Sequence, residues 1–231
     1  MASLTLLVAR HGNVLLIDSA SAVVQAGLWR RGAAPIWQQS AKEAGIAIFA
    51  CAAAALAAAH LRVADLGALV FCEGPGSILG IRTAAMALRT WQTREPPAPP
   101  AYAYRSLELV AQDLRRSRPQ RPFAVIADAR RDAWHWFEAT DHTDLDELRR
   151  VPRSQLAEYA GELFMPEGFR VWTPPPRIVS AVPYALPDLW RRQGDADLLR
   201  PAPEPDAFLH EDAVYVSWTP RIHRAPRRSP R

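Results

Sequence analysis

Three sets of residues in this chain have the types and spacing that chemistry needs. The first is Glu73-Gly-Pro-Gly-Ser-Ile-Leu-Gly-Ile-Arg82, a glycine-rich segment between an apolar run and a helix-forming run. Glycines let backbone N–H groups turn toward an anion or let a loop pack against a neighbouring strand, and a helix N-terminus favours negative charge. Phosphate binding and plain structural packing are therefore both open. A P-loop is not: no Lys-Ser/Thr pair follows, and the only lysine in the chain is Lys42. The second set is Asp18 and Asp128, each in a turn between two candidate strands. Carboxylates there could serve a metal or acid–base chemistry, but aspartate in a turn commonly caps backbone N–H groups, and capping is the favoured reading. The third set is the histidines, at positions 11, 60, 135, 142, 210 and 223. None falls four residues from another, so no paired-histidine helix is available for a metal. Cys51 and Cys72 form neither a CxxC pair nor a disulfide framework, and no GxSxG elbow or HExxH helix is present to support a peptidase. No catalytic residue, cofactor or metal is assigned.

The elements that would position these groups follow from periodicity and breakers. Val14 to Ile17 and Ala22 to Leu28 read as strands around the polar turn Asp18 to Ser21, and Pro35 to Gln39 is a third candidate. Alanine-rich Ala41 to His60 has strong helix propensity, Leu66 to Cys72 returns to strand, and a helix follows the glycine segment from about Ile81 to Trp91. The order is βββαβα. Glu95-Pro-Pro-Ala-Pro-Pro100 reads as an extended connector near a domain boundary, entering a short strand, Ala101 to Tyr104. Beyond it Ser106 to Arg116 reads as helix. Phe123 to Ala127 and Ala133 to Glu138 read as strands joined through Asp128-Ala-Arg-Arg-Asp132. Pro174 to Pro176 and Pro201 to Pro205 read as loops, Asp188 to Arg192 as helical, and Ala213 to Trp218 as a strand. Met1 to Asn13 is either an extra strand or an alternative start.

Composition bounds the class. With 231 residues, 49% hydrophobic and 23% charged, the chain reads as globular. Its formal charge of +4 invites a nucleic-acid reading, but Arg221, Arg224, Arg227, Arg228 and Arg231 stand in a tail without acids. Removing those five charges leaves the remainder one unit negative, so the body is not basic. The tail reads as a solvated, disordered terminus, with RNA contact as the alternative. Ala44 to Leu61 has no formal charge and reaches membrane-span length, yet it is mostly alanine with Gly45 and His60, which suits a close-packed helix better than a bilayer. The N-terminus has no basic n-region or small-residue cleavage site, and the cysteine usage fits a reducing, cytoplasmic setting.

Gly74-Pro-Gly-Ser-Ile-Leu-Gly-Ile-Arg82 is similar to the GPGSFTGxR signature of the TsaB (YeaZ) family. Leu15-Leu-Ile-Asp-Ser-Ala20 resembles that family's opening strand and IDTS turn. Ala124-Val-Ile-Ala-Asp-Ala-Arg130, followed by Trp134 and Trp136, resembles its IDAR segment. Ala213-Val-Tyr-Val216 falls where the family carries a PVYLR-like strand. The likeness runs from about Val14 to Trp218. The chain departs at Leu79 in place of threonine, at Ser19-Ala20 in place of Thr-Ser, and at Asp132 where glycine is usual. Gln39-Ser40-Ala41 replaces the histidine-containing start of the first long helix.

The resemblance implies an α/β protein with the two-lobed actin-like, sugar kinase and Hsp70 ATPase (ASKHA) fold, a duplicated βββαβα. It assigns an N-terminal lobe to residues 1–104, a smaller lobe to 105–220 and a basic disordered tail to 221–231. It implies a non-catalytic scaffold or dimerisation subunit supporting a TsaD-type catalytic paralogue, with a TsaE-type ATPase joining through the complex. The process would be threonylcarbamoyl modification of the adenosine next to the anticodon of ANN-decoding tRNAs. tRNA would be met only indirectly, and the chain alone would form a homodimer. The motif residues are Gly74, Pro75, Gly76, Ser77, Gly80 and Arg82 in the glycine loop, with Asp18, Ser19, Asp128 and Arg130 in the turns. The implied partner interface is Ile46, Phe49, Ala53 and Leu56 on the first long helix, with Ala84, Ala85, Leu88 and Trp91 on the next. The alternative is an ATP-dependent small-molecule kinase or carbamoyl transferase of the same fold. Short lobes and the lack of a second glycine-rich loop after Asp128 weigh against it.

Overall fold

A computed structural model describes residues 1–94, 97–117, 122–139 and 147–208. Outside them lie Glu95 and Pro96 of the connector, His142, His210 and His223, the strand expected at Ala213 to Trp218 and the arginine tail.

The run Val14-Leu-Leu-Ile-Asp18 is apolar on both faces because it becomes β1, buried throughout in the middle of a sheet. It pairs antiparallel with β2 (Val24–Arg30), which pairs antiparallel with β3 (Ala33–Ser40). On its other side β1 pairs parallel with β4 (Ala68–Gly74), and β4 pairs parallel with β5 (Ala101–Arg105). Between these strands run α2 (Ala44–Ala58) and α3 (Ile78–Arg94). Alternation along β1 divides the core. Leu15 and Ile17 face α2 and α3, while Leu16 and Val14 face a second helical layer. That layer holds α4 (Ser106–Ser117), α6 (Leu186–Gln193) and an N-terminal helix, α1 (Leu4–His11), which buries Leu4 and Leu7. Residues 1–13 thus contribute a helix, not an extra strand. Ser3 caps it by accepting from the N–H of Leu6.

On the far side of α4 and α6 lies a second sheet. Here β6 (Phe123–Asp128) pairs antiparallel with β7 (Ala133–Ala139), and β7 pairs antiparallel with β8 (Arg149–Pro152). β6 also pairs parallel with β9 (Glu162–Pro166), and β9 parallel with β10 (Ser180–Val182). The order β10-β9-β6-β7-β8 repeats β5-β4-β1-β2-β3 strand for strand, with the same directions. The second copy is reduced. α5 (Arg153–Glu158) is short, and no helix joins β9 to β10; residues 167–179 cross as irregular chain instead. The chain then returns to the first sheet, where β11 (Arg200–Pro201) pairs antiparallel with β5 inside a segment whose prolines suggested only loop.

α2 spans fifteen residues, and among the described residues no helix is long and apolar enough to cross a membrane. Its end is closed by two bonds, His60 N–H to the Ala57 carbonyl and Leu61 N–H to the Leu56 carbonyl, both 3.0 Å. This arrangement puts the residue after the cap in left-handed conformation, a place that favours glycine. His60 occupies it with φ 56° and an exposed side chain. His60→Gly is expected to raise unfolding stability by about 1 kcal/mol, read as a higher urea midpoint with unchanged slope.

Candidate functional site

Asp18 ends β1 and is completely buried. Its Oδ1 accepts the Ala20 N–H at 2.9 Å, and its Oδ2 accepts the hydroxyls of Tyr104 at 2.5 Å and Tyr184 at 2.7 Å. Burial pushes the carboxyl above its ordinary value against the pull of these hydrogen bonds. The same burial, with Asp18 alongside, pushes both tyrosine hydroxyls well above theirs, so they remain donors. Tyr184 comes from the segment between the second sheet and α6. A second anchor holds that segment: Gln25 on β2 donates to the Tyr184 carbonyl at 2.9 Å and accepts the Leu186 N–H at 3.0 Å. Asp18 therefore binds backbone and tyrosines, with no face toward solvent.

The glycine loop lies against this turn. Ser77 N–H donates to the Ala20 carbonyl at 2.7 Å. A Cβ on Gly76 would stand 2.5 Å from the Ala20 oxygen, and one on Gly80 would stand 2.4 Å from the Ser19 oxygen. Glycine is required here for backbone to touch backbone. The loop is fixed from behind by Ser106, whose hydroxyl donates to the Pro75 carbonyl at 2.6 Å, and by the Arg105–Glu73 pair at 2.9 Å. Ser19 is buried in the turn; Arg82 is exposed on α3.

Gly74, Pro75, Gly76 and Ser77 form one wall of a cavity of about 540 Å³ between the two sheets. The opposite wall is the β6–β7 turn with Asp128, Arg130 and Arg131, joined by Arg170 and Trp172 from the irregular β9–β10 crossover. Asp128 repeats the Asp18 geometry: its Oδ1 accepts the N–H two residues on, that of Arg130, at 2.6 Å. Its Oδ2 accepts the Trp172 and Thr173 N–H groups at 2.7 and 2.9 Å. The Arg130 guanidinium lies 4.8 Å from the Trp172 ring centroid. Arg130, Arg131 and Asp132 all adopt positive φ, 61°, 52° and 57°, so the position where the resembled family has glycine is one of left-handed backbone.

The cavity thus gathers the glycine loop, Asp128 and Arg130 but leaves out Asp18, Ser19, Gly80 and Arg82. Sequence reasoning did not find Arg131, Arg150, Arg170, His135 or Trp172, which also line it. Arg131 had a signal, being next to Arg130 in the turn; Arg150, Arg170 and Trp172 lie on elements without a sequence signature. The interface residues need correcting. Leu56, Ala84, Ala85, Leu88 and Trp91 are buried in the chain's own core between α2, α3 and the first sheet, because their side of each helix faces inward. Ile46, Phe49 and Ala53 are on the opposite, open face of α2.

Two lobes of matching strand order, helices on the faces of mixed sheets, and a cleft between the glycine loop of one lobe and the aspartate turn of the other define an actin-like α/β protein of the ASKHA class. The chain belongs to the family whose model is described as TsaD, tRNA N6-adenosine threonylcarbamoyltransferase, which matches residues 38–169. Among solved structures it is similar to YeaZ from Pseudomonas aeruginosa, with 20% identity and a TM-score of 0.56 over 79% of this chain and 91% of that one. It is equally similar to an uncharacterized protein with similarity to peptidase YEAZ from Pseudomonas aeruginosa. There the identity is 18% and the TM-score 0.56, over 81% and 97% of the two chains. At these identities the likeness establishes the fold, and it falls on the family that the glycine loop resembles. No curated protein matches the chain.

Gly80→Ala tests the packing role of the loop. With the Ser19 carbonyl in the way, it is expected to cost about 1–3 kcal/mol, measured as a lower urea midpoint. An unchanged midpoint would show that the loop does not depend on this contact.

Proposed function

We propose that this chain is a non-catalytic scaffold in tRNA threonylcarbamoyl modification, working in the cytoplasm and docking a TsaD-type catalytic subunit through α2. The observation that carries this reading is the open face of α2. Ile46 is 60% exposed and Phe49 46%, and Ala50, Ala53, Ala54 and Ala57 complete a surface without a charged residue along the helix. Small residues let a partner helix approach closely while Ile46 and Phe49 supply apolar area. In the absence of the paralogue a second copy would take the same face, and a TsaE-type ATPase would join through the catalytic subunit.

Two features support a helper over an enzyme. The family's activity belongs to a transferase, and the catalytic paralogue that this family resembles carries an HxxxH metal motif that has no counterpart among these histidine positions. Both turn aspartates, the groups a kinase of this fold would aim at its substrate and metal, accept hydrogen bonds on both carboxylate oxygens.

Ala53 is exposed, so Ala53→Glu should leave the fold intact while burying an unpaired carboxylate on association. Co-purification with the organism's catalytic paralogue is expected to be lost at unchanged thermal stability. Retention of the partner by this variant would refute α2 as the docking face.

A further inference from the structure

The cavity between the sheets is not used by the scaffold reading, and its charge is one-sided. Arg130, Arg131, Arg150 and Arg170 line it from the second lobe, while the one acid of the lining, Asp128, already accepts three backbone N–H groups. Two of the arginines are unmatched. Arg131 and Arg170 are exposed and have neither ion pair nor hydrogen bond among the described residues. The turn that presents Arg131 is held in left-handed backbone, with Ala129 N–H donating to the Ala133 carbonyl at 2.9 Å and Arg153 N–H to the Asp132 carbonyl at 3.1 Å.

The described chain ends at the same cavity. Its last residue, Phe208, lines the cavity on the glycine-loop side, with its N–H on the Glu73 carbonyl at 2.8 Å and the Arg105 guanidinium 4.2 Å from its ring centroid. Leu209-His210-Glu211-Asp212 follow in the sequence, and these two acids are the last in the chain. Residues 213–231 hold five arginines and no acidic side chain. Four extended residues reach about 14 Å, enough to carry Asp212 from Phe208 across a cavity of about 540 Å³.

We propose that Glu211 and Asp212 dock into the cleft and pair with Arg131 and Arg170, so that the chain fills its own cavity. Carboxylate and guanidinium match through paired N–H···O bonds, and two acids balance two unmatched arginines. The anchored Phe208 makes the encounter intramolecular. So short a tether costs little closure entropy and keeps the acids at high local concentration, which favours this segment over the same acids of a second copy. Partial exclusion of water between the lobes strengthens each pair relative to one on an open surface. Charge also selects which part of the segment enters: the cationic wall repels the arginines of 221–231 and complements only the acids next to Phe208. α2 contributes nothing to the cavity, so partner docking and this closure stand or fall separately.

Arginine labelling with phenylglyoxal, mapped by peptide mass spectrometry on the full chain in phosphate-free buffer, tests the proposal. Arg62 and Arg191, exposed and outside the cavity, serve as internal references. In the Glu211→Gln/Asp212→Asn variant Arg131 and Arg170 are expected to react about fivefold or more faster than in the parent, with both references unchanged. Asp206→Asn removes an acid just before Phe208 that is paired with Arg89, and should leave Arg131 and Arg170 at the parental rate. Equal rates in the parent and the amide variant would overturn the proposal, as would the same acceleration in Asp206→Asn. Protection of the two arginines that rises with protein concentration would overturn it as well, because the acids would then come from a second copy.

Discussion

A carboxylate without access to water holds this molecule together. Burying the Asp18 side chain is unfavourable by several kcal/mol unless its oxygens find donors, and three donors meet it: one backbone N–H and two tyrosine hydroxyls. Those donors come from three places, the β1–β2 turn, β5 of the same sheet, and the chain entering α6 from the second sheet. The interaction therefore fixes the turn and ties the two lobes at the same point. Gln25 doubles the tie through two bonds to the Tyr184–Leu186 backbone. Removing one donor would leave the buried carboxyl with two in place of three, at the cost of a charge-assisted hydrogen bond in the core.

The rest of the cleft follows from that constraint. Because the turn is pinned, the glycine loop can be laid directly on it, with Gly76 and Gly80 in contact distances that no Cβ permits. A loop held this way from both sides is a wall more than a ligand cradle. The second lobe repeats the aspartate turn, with Asp128 bonded to the N–H two residues on. Its other oxygen, however, finds its donors in the irregular crossover between β9 and β10. The first lobe has α3 at the corresponding crossover. In its place the second lobe has irregular chain, which carries Arg170 and Trp172 into the cavity, so the two halves meet as unlike surfaces, one apolar and glycine-rich, the other cationic.

Much of this was legible in the residues, and the parts that were not have physical reasons. β1, β2, β4, β6 and β7 are apolar runs between turn residues, and α2 and α4 have strong helix propensity, so periodicity located them within a few residues. The two aspartate turns were recognisable because aspartate between strands so often caps its own backbone. β8, β9 and β10 are short, and Arg149–Pro152 and Ser180–Val182 carry almost no strand signal; the first is held as a strand by pairing with β7 and the second by pairing with β9. α1 carries an apolar stripe, Leu4 and Leu7 with Val8 packed beside them, but at eight residues it is too short for that stripe to stand out as a helix. The side of each helix that packs on the sheet was not legible: alanine and leucine on α2 and α3 look alike whether they are buried or open. Only the sheet's position separates Leu56 and Leu88, which are buried, from Phe49 and Ile46, which are open. The cavity arginines were hidden for a different reason, since three elements far apart in sequence supply them.

Within the family, the consequence is a chain whose fold supports a cleft while its aspartates serve the framework, leaving an uncharged helical face available for association. The most direct test of this account is native-state hydrogen exchange at the Ala20 amide, with and without ATP and magnesium. If Asp18 is a permanent latch, that amide exchanges only through global unfolding, at the free energy found by denaturant titration, and nucleotide leaves it unaffected beyond any change in global stability. Exchange through a much cheaper local opening, or protection that changes on adding nucleotide while global stability does not, would mean that Asp18 is released to act on a ligand, and the latch would be contradicted.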